Sequence, residues 1–83
     1  MNQILKYEVE YNTVELPLDA EVVHFEALDL DIFYIWCKFN PSEERTEWRY
    51  FEVYTESTFE GRYIASADCD LYEVVHLVET TGD

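Results

Sequence analysis

Apolar and polar residues alternate along much of this chain, the signature of strands with one face buried. Leu5, Tyr7, Val9 and Tyr11 fall on one side and Lys6, Glu8 and Glu10 on the other, predicting a first strand over 4–11. Asn12 is a turn residue, and Thr13-Val14-Glu15-Leu16 predicts a short second strand stopped by Pro17. These two strands are expected to pair as a hairpin. Over 21–28, Val23, Phe25 and Ala27 alternate with Val22, His24 and Glu26, which predicts a third strand. A helix over 20–30 is the competing reading; the β-branched pair and the period of two weigh against it.

The densest apolar stretch is Ile32-Phe33-Tyr34-Ile35-Trp36-Cys37-Lys38-Phe39. A polar break, Asn40-Pro41-Ser42-Glu43-Glu44-Arg45-Thr46, separates it from the aromatic and β-branched run over 47–55. The pattern predicts a β-hairpin over 32–55 with a loop of about seven residues, around which the other strands assemble. Phe33, Ile35, Cys37 and Phe39 with Phe51 and Val53 form one face, a core face. Tyr34, Trp36, Trp48, Tyr50 and Tyr54 form the other. That second face is either another layer of core or a candidate interface, since Tyr and Trp are enriched among interface anchors.

A short strand over 62–66, a turn over 67–70 and a last strand over 71–79 complete the pattern, and the tail 80–83 is expected to fray. Short strands between turn signals, without a long helical period, predict an all-β or β-rich fold. The expected architecture is a small antiparallel sandwich or open barrel of about six to seven strands. Neither a linker nor an internal repeat divides the chain, so residues 1–83 read as one domain.

Charge narrows the function classes. Nineteen carboxylates oppose five Lys and Arg, a formal charge of −14. Such a surface repels nucleic acid and anionic membranes, which are bound through Lys and Arg. It suits a basic partner, including a protein whose usual ligand is nucleic acid. A hydrophobic content of 48% separates the chain from disordered acidic tails. The aromatic residues help so short a chain build a core, and self-association would help further. No 18-residue apolar run is present and the first residues become charged at once, so neither a membrane span nor a secretory leader is expected. With Cys37 inside an apolar strand and Cys69 between two aspartates, a cytoplasmic protein with reduced thiols is the expectation.

Several short segments resemble a family of small uncharacterised proteins encoded by bacteriophages and prophages. They are Lys6-Tyr7-Glu8, Val14-Glu15-Leu16-Pro17, Glu21-Val22-Val23-His24, Trp36 through Asn40-Pro41, Arg49-Tyr50-Phe51-Glu52-Val53-Tyr54, Tyr63-Ile64-Ala65 and Val74-Val75-His76-Leu77. The Thr-Gly-rich loop of that family is not matched at Thr55-Glu56-Ser57-Thr58. The resemblance implies a phage origin and the cytoplasm of an infected bacterium, and no activity.

Candidate chemistry is sparse. His24, Cys37, Cys69 and His76 lack the close pairing typical of zinc sites and read better as sheet residues, so no metal is expected. A dyad of Cys37 or Cys69 with His76 has no supporting local motif. Two glycines supply no phosphate loop, and no cofactor or catalytic residue is assigned. The carboxylates two apart, Glu8/Glu10, Asp29/Asp31 and Asp68/Asp70, are the candidate acidic contacts. On strands such pairs would stand about 6.5–7 Å apart on one face, a spacing comparable to that of nucleic-acid phosphates. The expected function is a non-enzymatic acidic module that binds and modulates a basic host protein, one that handles nucleic acid or acts in defence. The alternatives are a self-associating structural or accessory protein, such as a homodimer using the aromatic face, and a small metal-dependent enzyme.

Overall fold

The computed structural model describes residues 1–80 as two antiparallel sheets with no helix. Seven strands run β1 Gln3–Val9, β2 Thr13–Pro17, β3 Glu21–Ala27, β4 Phe33–Phe39, β5 Thr46–Tyr54, β6 Arg62–Asp68 and β7 Val74–Thr80. Sheet A has the order β1-β4-β3 and sheet B the order β2-β5-β7-β6. The two face each other as a sandwich and do not close into a barrel, so the sandwich form of the expected fold is the one adopted.

The expected hairpin over 32–55 does not form. β4 is the centre of sheet A and β5 lies in sheet B, so the segment 40–45 carries the chain from one layer to the other. The reason lies in the apolar faces. Paired side by side, Phe33/Ile35/Cys37 and Phe51/Val53 would make one wide apolar surface that still needs a cover. Facing each other across a layer spacing of about 10 Å, they cover themselves. The crossing is held locally: the Asn40 carboxamide oxygen accepts from Ser42 N–H at 2.9 Å, and Glu43 N–H donates to Asn40 C=O at 2.9 Å. Glu43 then accepts from the Arg45 backbone N–H and Nε at 2.9 Å each. The Arg45 side chain, followed by its backbone N–H, holds the Glu43 carboxyl down to about 2.

The expected β1–β2 hairpin is likewise reduced to its turn. Glu10 and Thr13 form a single bridge around Tyr11 and Asn12, after which β1 pairs with β4 and β2 with β5. Both turn residues are left-handed, with φ of 53° and 63°. Asn tolerates this region; Tyr does not favour it. β3 pairs with β4 through a bulge between Val22 and His24, which returns Val22 to the inward side with Phe25 and Ala27. In sheet B, β6 and β7 form a hairpin that pairs Ser66 with His76 and Asp68 with Val74. The turn expected at 67–70 therefore lies later in the chain, and the last strand begins at Val74 rather than residue 71.

The core is the space between the sheets. Val9, Phe25, Phe33, Ile35 and Cys37 from sheet A meet Leu16, Phe51, Val75 and Leu77 from sheet B. The Phe25 and Phe33 rings meet edge to face, 6.1 Å apart. Charged residues border this core: Arg49 lies on the inward face of β5 with Phe51, and Glu79, paired across from Phe51 on β7, meets it at 2.7 Å. Gly61 enters β6 with φ of 117°, and a Cβ there would stand 2.7 Å from Glu79 O and 2.8 Å from Val78 Cγ1. Gly61→Ala is expected to cost about 1–3 kcal/mol, read as a lowered midpoint in urea denaturation.

Candidate functional site

The sandwich separates the aromatic residues that the expected hairpin would have placed together. Tyr34 and Trp36 point outward from sheet A, whereas Trp48, Tyr50 and Tyr54 point outward from sheet B. They occupy opposite sides of the molecule and cannot form one interface. Each half has its own environment. On sheet A, Lys6 Nζ sits 4.3 Å above the Tyr34 ring and 5.4 Å from that of Trp36, and His24 abuts Trp36 at 4.8 Å. These rings are half-buried beneath the chain's own side chains.

On sheet B, the segment after β5 brings Phe59 between Tyr54 and Tyr63, with ring centroids 6.2 and 6.1 Å away. Tyr54 donates to Glu52 at 2.6 Å, and that hydrogen bond raises the phenol above its ordinary value. Tyr63 Oη is 2.7 Å from Ser66 Oγ, which is 2.6 Å from His76 Nδ1. Trp48, at the other end of this face, is 60% exposed. Neither the Phe59 bridge between Tyr54 and Tyr63 nor the Ser66–His76 pair is indicated by the sequence pattern. The latter follows from the hairpin register once its turn is placed between Asp68 and Val74.

The acidic residues behave in the opposite way: the fold gathers what the sequence scatters. Val9, Phe33 and Ala27 lie at one level of sheet A, at the end of the sandwich where the 28–32 connection turns. There Glu8, Glu10 and Asp31 line one hollow. Asp68 and Asp70 line another with Glu26, Ala27 and Leu28. Asp29 sits in the connection itself, its carboxylate accepting from Leu30 N–H at 2.7 Å. The candidate acidic contacts thus share one end of the molecule. Glu8 and Glu10 lie on β1 and its bridge, but Asp29, Asp31 and Asp70 lie in turns, so the phosphate-like spacing argued from strand geometry does not extend to the two aspartate pairs.

The Lys and Arg ion pairs are made elsewhere. Lys38 pairs with Glu21 at 3.4 Å, Arg45 with Glu43 at 2.9 Å, Arg49 with Glu79 at 2.7 Å and Arg62 with Glu79 at 3.0 Å. Lys6 lies over its two rings. Among the described residues, the Lys and Arg ion pairs therefore engage Glu21, Glu43 and Glu79, and none of the six candidate acidic contacts.

The cysteine and histidine candidates do not converge. Cys37 is buried on the inner side of sheet A, where burial pushes its thiol up to about 11, whereas His76 faces outward from sheet B. Cys69 is buried at the β6–β7 turn, its Sγ 3.7 Å from Leu28 O. Both thiols are free. Among the described residues, no group of three or more His, Cys, Asp and Glu side chains is arranged to hold a metal ion, and no helix is long and apolar enough to cross a membrane.

Comparison with known proteins adds a family and no activity. A model described as a domain of unknown function, DUF7352, matches residues 1–83. No curated protein and no solved structure matches the chain.

Proposed function

The chain belongs to the DUF7352 family, a domain of unknown function, and we propose that it acts by binding a basic protein through its acidic end. The observation that supports this reading is the collection of Glu8, Glu10, Asp29, Asp31, Asp68 and Asp70 at one end, away from the ion-paired Lys and Arg side chains. Unneutralised carboxylates on a rigid end raise the local potential and steer a basic partner into contact. The partner class is a cytoplasmic host protein with a basic groove, such as one that handles nucleic acid or acts in phage defence. The module occupies that groove as an inhibitor or modulator.

A second copy of the chain is the weaker candidate. Self-association through this end would bring like charges together, and the aromatic residues invoked for a homodimer stand on opposite faces. Light scattering at micromolar concentration is expected to give a monomer.

The test is capture from a bacterial lysate with wild-type protein and with the variant Asp29→Lys/Asp31→Lys/Asp68→Lys/Asp70→Lys. A partner retained at low salt, released as ionic strength rises and lost by the variant fits the reading. Affinity that does not change with ionic strength would contradict it.

A further inference from the structure

The two outer faces use aromatic residues differently, and the difference points to a ligand. On sheet A, the Tyr34 and Trp36 rings are capped by Lys6 of the same chain. On sheet B, the outward positions of β2 and β5 carry Thr13, Glu15, Trp48, Tyr50, Glu52 and Tyr54, without a Lys or Arg. Trp48 lies beside the Tyr11–Asn12 turn, and a hollow of about 290 Å³ there is lined by Glu8, Glu10, Tyr11, Glu15 and Trp48 among others. Tyr11 is 94% exposed and Trp48 60%, so both rings offer open surface. Glu15 accepts from Thr46 Oγ1 at 2.6 Å, which fixes its carboxylate at the margin.

We propose that this hollow is an arginine subsite: a guanidinium from the basic partner lies against Trp48 and Tyr11 while Glu8, Glu10 and Glu15 supply its counter-charge. The occupant follows from chemistry on both faces. The chain's own aromatic pair on sheet A takes a cation, whereas Trp48 and Tyr11 share their hollow with Glu8, Glu10 and Glu15, and among the described residues no Lys or Arg lines it. Arginine fits better than lysine, because a planar, weakly hydrated guanidinium stacks on a ring and still presents N–H groups to carboxylates. Glu8 and Glu10 also line the neighbouring acidic hollow, making the subsite continuous with the acidic end. The inference rests on the reading that the partner is basic, and it adds a preference that charge alone does not give.

The probes are an arginine nonapeptide and a lysine nonapeptide, titrated calorimetrically at low and at physiological ionic strength into wild-type protein, Trp48→Ala and Tyr11→Asn. Wild type is expected to bind the arginine peptide about fivefold more tightly than the lysine peptide. Both variants are expected to lose that preference while keeping their lysine-peptide affinity. Tyr11→Asn is the sharper variant, because Asn tolerates the left-handed turn position. Its melting temperature is expected to hold or rise, so lost preference is not lost folding. Equal wild-type affinities for the two peptides, or a preference that survives in Trp48→Ala, would overturn the arginine subsite. Salt-insensitive binding of both peptides would overturn the electrostatic reading beneath it.

Discussion

Phe51→Ala is expected to lower the unfolding free energy by about 3–5 kcal/mol, the range for truncating a fully buried aromatic residue. Phe51 is fully buried at the centre of sheet B and faces the Phe33/Ile35/Cys37 surface of sheet A. Its truncation removes apolar contacts and leaves a void that both sheets resist closing, because each is held by ladder hydrogen bonds. Against a typical domain stability of about 5–15 kcal/mol, the loss is a large fraction of the total. Urea denaturation should show a lower midpoint with an unchanged slope. A loss below about 1 kcal/mol would mean that the layers do not pack through this residue.

Arg49→Ala is expected to cost about 2–3 kcal/mol, short of the roughly 3–5 kcal/mol that breaking a fully buried ion pair costs. Arg49 and Glu79 are both largely shielded, and Arg49 donates to Glu79 from Nε at 2.7 Å and from one terminal nitrogen at 2.9 Å. Its other terminal nitrogen donates to Ala20 C=O, tying the start of β3 to sheet B. Removing the guanidinium orphans that carbonyl and leaves Glu79 with Arg62, whose side chain is far more exposed. Retention of Arg62 is why the cost falls short of a fully stranded charge.

The same pair predicts a pH dependence. Burial pushes the Glu79 carboxyl up, but the Arg49 hydrogen bonds and charge, with Arg62, outweigh it and hold the group below its ordinary value of 4.5. A carboxyl depressed in the folded state binds its proton more tightly in the unfolded chain. Its contribution is therefore complete above the ordinary value and is lost as pH falls through the lower folded one. Denaturation from pH 7 downward should show the wild type converging on Glu79→Gln below about pH 4.5. Parallel curves for the two proteins would show that Glu79 is not held by Arg49.

Strand content was legible because the period-two pattern is strong. Phe33/Ile35/Cys37 and Phe51/Val53 are inward as their alternation indicates, and Arg49 shares the inward face with Phe51. What alternation does not carry is which strand lies beside which. The 40–46 break is long enough either to close a hairpin or to cross between layers, and parity along each strand is the same in both cases. Only the mutual cover of two apolar faces selects the crossing, and with it the division of Tyr34/Trp36 from Trp48/Tyr50/Tyr54. The acidic contacts illustrate the converse. Asp29/Asp31 and Asp68/Asp70 are far apart in sequence, yet the end of β3 and the β6–β7 turn meet around Cys69 and Leu28. Tyr11 continues the alternation of Leu5, Tyr7 and Val9, which places it on a strand. Its left-handed turn became visible only in the backbone.

The surface that a partner touches decides between the acidic end and the outer faces. Amide chemical shifts of the isotope-labelled protein, followed while the captured partner is added, report this directly. Shifts are expected to concentrate at Glu8, Glu10, the 29–31 connection and the 68–70 turn, and to diminish as salt is raised. Shifts centred instead on the Tyr34, Trp36 and Lys6 face of sheet A, with the acidic end undisturbed, would contradict it.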